Sequence, residues 1–546
     1  MTQTILYTVA PPTHDLSSHV TKNYSNTYWI NDYRKFEGAI NSLATIEEIN
    51  EDANQLIKKE LEKMMNKNCE ELSAMTCFVL LPEPDSSFYH IAWLNKIIEK
   101  KPNEQITCLV QDFRTYHLLN KTFQKNPIVN VIYNKKNIQE FILVNLPGIF
   151  FYLFVMSFTS LRILIQWCKY QFEKVNQLKL GKILFINSTE KNFFHRGESH
   201  MDFILIDLFQ ELSKNQKGTL TLHRHGNYSF LKYLSFKKII MVFLSSFFKL
   251  CKGIKLIDKR YKCFWGVMFS ALIYQAGLKH IIKQFKISKI IYQDEVFSFG
   301  RLIALACQNS NIETIGVQHA MIAKAHPTYK FFNFYNEYPQ LFPKKMLVYG
   351  SVVANLLAER GYPRSQLHEI GSKRIYNSTK IEPNNLKKQK EYDVLYLSPK
   401  IIYELQQLLP EFGSKRILIR QHPNYHSVCM FDDVSIDEFK HEYPNIDVEN
   451  SRDVSMKESL RSVDIVFSKA HTTAFFDAVL SEKVCVLLTT KELGDYYDLG
   501  KWGVQVVHDL KNVDWTKRAD PTRLIEELKP KSFFQKNSTS LNKVTK

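Results

Sequence analysis

The chain has 546 residues, enough for two or three domains that each hold a core. Hydrophobic residues make up 45% of it and charged residues 23%, a composition that excludes a largely disordered protein. Its 72 lysines and arginines outnumber its 55 aspartates and glutamates, and the net charge of +17 favours an anionic partner: nucleic acid, an acidic membrane face, or a phosphorylated or acidic sugar.

The number and spacing of the cysteines indicate the redox environment in which the protein folds. There are nine cysteines, an odd number, and no Cys-x-x-Cys pair, which argues against a disulfide framework and against a zinc site. Residues 1–15 lack a basic region followed by an apolar core, so no signal peptide is predicted. The pattern fits a reducing cytosol.

The first half of the chain predicts a charged helical extension followed by an α/β domain. The clearest helical periodicity of the first 70 residues runs over Ile46–Met65. Beyond it, short apolar runs alternate with helical segments, which predicts βαβ units and a parallel sheet. The predicted strands are 76–81, 106–110, 129–133, 182–186, 220–222, 289–292 and 314–317.

Two segments of this half bear on membranes. Residues 141–161 carry no charge but contain Pro147 and Gly148, and we expect a buried or membrane-dipping helix there rather than a span. Residues 232–262 interleave lysines with bulky apolar side chains. This second pattern fits a helix lying on an anionic membrane surface, or equally a core helix with solvated lysine ends.

The second half repeats the α/β alternation. A helix is predicted over 351–360, and a polar linker over 377–391. The predicted strands are 346–350, 367–371, 393–397, 416–419, 463–467, 484–488 and 504–507. We therefore expect a helical extension (1–70), two Rossmann-like domains (71–340 and 341–525) and a basic tail (526–546).

Polar residues follow two predicted strands of the second domain. His422-Pro423 ends one, and Ser468, Thr472 and Thr473 lie between another and the predicted helix 474–480. In open α/β sheets ligands bind beyond the carboxyl ends of the strands, where hydroxyls and a histidine can bind a phosphate. Strand capping by the histidine and helix capping by one hydroxyl are the structural alternatives.

The first domain has its own strand-end candidates. Asp294-Glu295 could act as a general base or cap the next helix. Gln318-His319 closes a later strand, and His326 and Tyr329 lie in the loop after it, where they could contact an acceptor or the sugar. A histidine whose hydrogen bonds are satisfied within the core is the structural alternative.

A last candidate element follows the predicted strand 367–371 in the second domain. Lys373 and Arg374 follow Gly371-Ser372 and suit a nucleotide phosphate or, equally, a solvated turn. We find no Asp-x-Asp at a strand end, no Walker loop and no GxGxxG, so neither a metal nor a cofactor is predicted.

Asp294-Glu295, His422-Pro423 and the group of Ser468, Thr472 and Thr473 follow one another along the chain. In this order they resemble the motifs of bacterial GT-B glycosyltransferases of surface-polysaccharide assembly, in the group of the capsule sialyl-, polysialyl- and Kdo-transferases. CDP-glycerol glycerophosphotransferases are more distant relatives. The resemblance covers about residues 285 to 490. Residues 314–329 look like the family's QHG…HP-x-Y segment, and 371–374 like its GSPR element. Val296, Ala320 and Lys373 depart from the glycine, glycine and proline of those motifs.

The resemblance implies a fold of two Rossmann-like domains facing across a cleft. It implies Asp294 or Glu295 as general base, and His422 with the Ser468, Thr472 and Thr473 hydroxyls on the donor nucleotide. The expected protein is a cytoplasmic, membrane-peripheral, metal-independent glycosyltransferase.

Its expected partners are a nucleotide-sugar donor (a CMP-linked ulosonic acid in preference to a UDP-sugar), a glycan or lipid-linked acceptor and an anionic membrane surface, but no nucleic acid. The alternatives are a glycerophosphotransferase with His319 as base, a UDP-sugar-dependent transferase and a non-catalytic glycan-binding protein.

Overall fold

The computed structural model describes two compact units of α/β structure. Contacts assign Met1–Thr189, Gln216–Gly316 and Pro327–Lys345 to the first unit and Glu190–Asn215, Val317–His326 and Met346–Lys546 to the second. Within these spans the described residues are 4–8, 26–32, 35–37, 46–65, 87–110, 113–133, 157–158, 160–165, 167–168, 183–187, 205, 208, 219–223, 231, 233–254, 259–293, 298–308, 310–318, 322, 334–376, 391–398, 412, 414–421, 441, 443–450, 454–469, 472–489, 494–495 and 498–531.

Strands and helices alternate along the chain, which confirms the predicted α/β class. The described strands are β1 (Thr4–Thr8), β2 (Asn26–Asp32), β3 (Lys35–Glu37), β4 (Gln105–Val110), β5 (Val129–Tyr133), β6 (Ile183–Asn187), β7 (Thr219–His223), β8 (Lys289–Tyr292), β9 (Glu313–Val317), β10 (Lys345–Val348), β11 (Leu367–Glu369), β12 (Val394–Ser398), β13 (Ile417–Gln421), β14 (Ile446–Asn450), β15 (Ile465–Ser468), β16 (Val484–Leu488) and β17 (Gln505–Val507).

Helices connect many of these strands. The described α-helices are α1 (Ile46–Met65), α2 (Ser87–Lys100), α3 (Phe113–Phe123), α4 (Phe236–Ile254), α5 (Trp265–Phe285), α6 (Ser298–Cys307), α7 (Ser351–Glu359), α8 (Lys373–Tyr376), α9 (Met456–Arg461), α10 (Ala474–Leu480) and α11 (Thr522–Leu528). Short 3-10 helices cover Lys259–Phe264, Pro339–Leu341, Arg364–Gln366, Leu499–Trp502 and Leu510–Asn512.

The first sheet has five strands in the order β3-β2-β1-β4-β5. β1 pairs in parallel with β2 and with β4, which places it in the middle of the sheet. The prediction of a helical extension over 1–70 is therefore wrong for β1, β2 and β3, although α1 has its predicted bounds. Local periodicity does not show these strands because β1 depends on pairing with β4, far along the chain.

The second sheet has six strands in the order β11-β10-β9-β8-β6-β7. β6 pairs in parallel with both β7 and β8, so the chain winds away from β6 in both directions. Ile290, Ile291 and Tyr292 of β8 are all at most 1% exposed. A parallel sheet covered on both faces has strands that read as continuous apolar runs, which is why the sequence predicts them.

The third sheet has six strands in the order β14-β13-β12-β15-β16-β17, all paired in parallel. Counted from β12, this is the 3-2-1-4-5-6 order of a doubly wound fold. Leu395 and Val466 belong to the core on one face, whereas Tyr396 and Phe467 belong to the core on the other. The Rossmann-like domain predicted for the second half is confirmed as this doubly wound sheet.

The C-terminal helix α11 is tied to segments much earlier in the second unit. Glu527 Oε1 accepts a hydrogen bond from the Val352 backbone N–H at 2.9 Å. The Ser372 and Lys531 N–H groups donate to the Leu528 and Ile370 carbonyls, both at 2.9 Å. The predicted start of the basic tail at residue 526 is therefore wrong, because the ordered fold continues through Lys531.

The predicted membrane segment 141–161 lies outside the described residues except at 157, 158, 160 and 161. No helix in the part of the chain that the structure describes has the length and apolarity needed to cross a bilayer.

Gly371 is the residue at which the returning C-terminal segment comes closest. Its φ is +69°, and a Cβ there would lie 2.3 Å from the Lys529 carbonyl oxygen. We expect Gly371→Ala to destabilise the protein by about 3 kcal/mol, combining left-handed backbone strain with the steric clash. Urea unfolding followed by circular dichroism measures this loss. The neighbouring Ser372→Ala is the matched control, and an equal loss in the control would contradict the assignment.

Glu369 makes a pH-dependent contribution to the stability of the second unit. Hydrogen bonds from Lys531 and Arg364 hold the pKa of Glu369 below its ordinary value of 4.5. A lowered carboxyl pKa stabilises the fold above the ordinary pKa, and this contribution is lost as the pH falls through the folded value. We expect Glu369→Gln to cost about 0.5–1 kcal/mol at pH 7, since its partners are half exposed, and less at pH 3, below the ordinary pKa. Equal losses of unfolding free energy at both pH values would contradict this.

Candidate functional site

The third sheet has a topological switch point between β12 and β15. Tyr396 is the register partner of Phe467 across these neighbouring strands. From here the chain passes through β13 and β14 on one side and through β16 and β17 on the other. The connections that leave β12 and β15 therefore diverge, and the crevice between them is where open α/β sheets bind ligands.

Ser468 fastens the two strands at this point. It is fully buried, and its Oγ donates a hydrogen bond to the Leu397 carbonyl of β12 at 2.8 Å. The sequence predicts Ser468 as a direct contact of the donor nucleotide. The structure places its hydroxyl proton inside the sheet instead, so we assign Ser468 to positioning the strand ends.

A short loop then leads from β15 to α10. Thr472 Oγ1 accepts a hydrogen bond from the Ala474 N–H at 3.2 Å, a local turn bond. Thr473 takes the N-cap position of α10 but makes no side-chain capping bond. Lys469, Thr472 and Thr473 are all partly exposed. The loop thus places two side chains beside the switch point: the basic Lys469 and Thr473, whose hydroxyl makes no helix-capping bond.

Arg420 anchors the end of β13, next to the predicted His422-Pro423. Its guanidinium is 6% exposed and pairs with Glu449 of β14 at 2.7 Å. It also donates to Ser459 Oγ of α9 at 2.8 Å and to the Val454 carbonyl at 2.9 Å. The charge is neutralised within the protein, so Arg420 fixes the strand end from which His422 departs.

The ends of β16 and β17 carry polar residues that sequence reasoning missed. Thr489 Oγ1 donates to the Gly494 carbonyl at 3.1 Å, and His508 Nδ1 lies 3.0 Å from the Thr489 carbonyl. Asp495 accepts from the N–H groups of Leu499 and Gly500 at 2.7 and 2.6 Å, and burial raises its pKa. The Gly494-Asp495 pair, between β16 and β17, is a turn signal that could have marked this loop.

A cavity of about 310 Å³ lies within the second unit. Gln318 forms part of its wall, together with Tyr349, Phe476 and Trp502. Gln318 Oε1 accepts from the Tyr349 N–H at 2.8 Å, and the Gln318 N–H donates to the Leu347 carbonyl at 2.9 Å. Phe476 belongs to α10, three residues after Thr473. The cavity therefore brings Gln318 together with the helix that follows the hydroxyl loop.

The remaining candidates divide into two groups. Lys373 and Arg374 begin α8, two residues after Gly371, whose close backbone contact gives this element a structural role. Asp294, Glu295, His319, His326, Tyr329, His422 and Pro423 lie outside the described residues. Within the described part of the chain, no cluster of His, Cys, Asp and Glu side chains has the arrangement of a metal site.

Comparisons with known proteins give similarity at the level of solved structures. No family model matches the chain, and no curated protein sequence matches it. The chain is similar to the UDP-GlcNAc 2-epimerase of Methanocaldococcus jannaschii in complex with UDP-GlcNAc and UDP, with 12% identity, a TM-score of 0.38 and coverage of 64% of this chain and 93% of that one.

Two further structures show the same degree of likeness. The Neisseria meningitidis UDP-GlcNAc 2-epimerase bound to UDP-GlcNAc gives 12% identity, a TM-score of 0.35 and coverage of 63% and 89%. The spinosyn forosaminyltransferase gives 10% identity, a TM-score of 0.32 and coverage of 64% and 90%.

The Arg420–Glu449 pair yields a double-mutant test of this sheet edge. We expect Arg420→Met to destabilise the protein by about 3–5 kcal/mol, because it leaves the Glu449 carboxylate buried without its partner. The double variant Arg420→Met/Glu449→Leu should recover most of this loss, since no charge remains. Urea unfolding of both variants measures it, and a double variant as unstable as the single one would show that the pair is not coupled.

Proposed function

We propose that the chain is a glycosyltransferase that uses a nucleotide-activated sugar. One observation carries the proposal: the switch point of a 3-2-1-4-5-6 parallel sheet, with Lys469 and Thr473 in the loop beside it. Such crevices bind nucleotides in doubly wound folds. A partly exposed base and a hydroxyl free of capping suit the phosphate of that nucleotide.

The proposed chemistry is transfer of the sugar to an acceptor hydroxyl. A general base, Asp294 or Glu295 by the sequence prediction, removes the acceptor proton as the new bond to the anomeric carbon forms. The bond from that carbon to the donor phosphate oxygen breaks, and its electron pair leaves with the phosphate. Lys469, Thr473 and His422 stabilise the charge that develops there, and no metal is required in this scheme.

The donor nucleotide is the finer part of the proposal. The resemblance of His422-Pro423 and of the hydroxyls after β15 to the donor-site motifs of sialyl- and Kdo-transferases supports a CMP-linked ulosonic acid. A UDP-sugar is the alternative, and UDP-GlcNAc, which two of the similar structures contain, is its probe. The acceptor in either case is a glycan or a lipid-linked saccharide. The cavity beside Gln318 is the place we propose for a sugar ring, since it combines aromatic with polar walls.

The decisive experiment measures nucleotide release from CMP-, UDP-, GDP- and CDP-linked donors by the purified chain. We expect release from a CMP donor, lowered at least a hundredfold in His422→Ala and about tenfold in Thr473→Val, because each loses a group that binds the leaving phosphate. His441→Ala and Thr516→Val, both at exposed positions of the second unit, are the matched controls and should stay at wild-type rates.

Other outcomes discriminate the alternatives. Release from UDP-GlcNAc alone would move the donor to the UDP class and leave the glycosyltransferase proposal standing. Release from CDP-glycerol, abolished by His319→Ala, would make the protein a glycerophosphotransferase. Sugar binding without release from any donor would make it a non-catalytic glycan-binding protein, and full activity of His422→Ala would remove the proposed donor site.

A further inference from the structure

Helix α4 in the first unit has two unlike faces. Its inner face is buried, with Ile239, Val242, Ser246 and Leu250 at most 2% exposed. Its outer face carries large apolar side chains in contact with solvent: Phe236 (51% exposed), Ile240 (42%), Met241 (53%), Leu244 (52%), Phe247 (37%) and Phe248 (62%). These positions recur at helical spacing, so they line one side of the helix. A second apolar face thus lies opposite the one that packs into the unit.

A second helical segment of the first unit has the same character. Residues 157–158, 160–165 and 167–168 have helical backbone. Ile163 is fully buried, whereas Phe158 (60%), Leu161 (56%), Leu164 (38%) and Ile165 (60%) are exposed. Exposed aromatic and aliphatic side chains therefore occur on two separate stretches of the chain.

Trp167 joins the two stretches into one surface. Its ring lies 5.4 Å from the Phe236 ring, measured between centroids. Its Nε1 donates a hydrogen bond to the Leu234 carbonyl at 3.1 Å, just before α4 begins. The segment 157–168 is thus fixed to the first turn of α4. Contiguous exposed apolar surface of this kind marks an interaction site.

Basic side chains accompany these apolar ones. α4 contains Lys237, Lys238, Lys249 and Lys252 and has no acidic residue, and Arg162 is exposed on the second segment. Lys237 and Lys252 are exposed as well. Apolar side chains flanked by bases and free of acids are suited to an anionic lipid surface, into which the rings insert while the bases contact the headgroups. A second copy of this chain would bring like charges together at the same face.

We propose that the outer faces of α4 and of residues 157–165 form one docking surface for an anionic phospholipid bilayer. The helices lie in the interface and do not cross it. The proposal adopts the surface-helix interpretation of 232–262, one of the two that the sequence leaves open. The inference is independent of the proposed catalytic site, since its test needs neither donor nor acceptor.

The test is flotation of the purified full chain with vesicles of phosphatidylcholine alone or with 30% phosphatidylglycerol. We expect binding to the anionic vesicles and at least tenfold weaker binding to the neutral ones. Leu244→Ser/Phe248→Ser and Leu161→Ser/Ile165→Ser should each weaken anionic-vesicle binding about tenfold, because each removes two inserting side chains. Lys237→Glu/Lys252→Glu should weaken it by at least as much.

Matched controls change the same residue types elsewhere. Ile132→Ser removes an exposed isoleucine of β5, and Lys511→Glu/Lys517→Glu reverses two exposed lysines of the second unit. Both should bind as wild type, and far-ultraviolet circular dichroism verifies that every variant is folded. Equal binding to both vesicle types, or unchanged binding in the serine variants, would overturn the proposal. So would a dimer in light scattering that Leu244→Ser/Phe248→Ser abolishes, since a second copy would then cover the surface.

Discussion

The parallel pairing of β12 with β15 is the contact on which the rest of the second unit depends. It joins segments far apart in sequence, and every other strand of the third sheet is added outward from this pair. Because the two strands are covered on both faces, their side chains divide between two cores. The Ser468–Leu397 hydrogen bond closes the pair at its carboxyl end. Removing the Ser468 hydroxyl would leave the buried Leu397 carbonyl without its side-chain donor.

Most strands of the second and third sheets could be predicted from sequence because parallel strands buried on both faces are short, continuous apolar runs. β8 and β16 have their predicted bounds. β14 was not predicted because it is an edge strand with charged positions, and its place depends on the pairing of Glu449 with Arg420. The position of Ser468 at the carboxyl end of a strand was also accessible to sequence reasoning. The hydrogen bonds of Ser468 and Glu527 were not, because each joins residues that only the tertiary fold brings together.

The distribution of charge refines what the overall excess of basic residues means. Arg420, a base close to the candidate site, is neutralised by Glu449 and satisfied by two further acceptors. Its role is to hold the sheet edge rigid, which a binding site requires of the strands that support it. The exposed lysines of α4 have no acidic residue on their own helix. Positive charge is therefore used for structure at one place and left available to solvent at another.

The return of α11 to α7 has a consequence for how the protein is made. The first turn of α7 is bonded by Glu527, and the segment after β11 pairs with Leu528 and Lys531. During synthesis, residues near 350 and 370 leave the ribosome well before these partners exist. The first unit has most of its chain by then and can fold as the chain emerges, since domains generally fold as units. The second unit therefore lacks these bonds until α11 has left the ribosome, and until then the segments near 350 and 370 do not have their native partners.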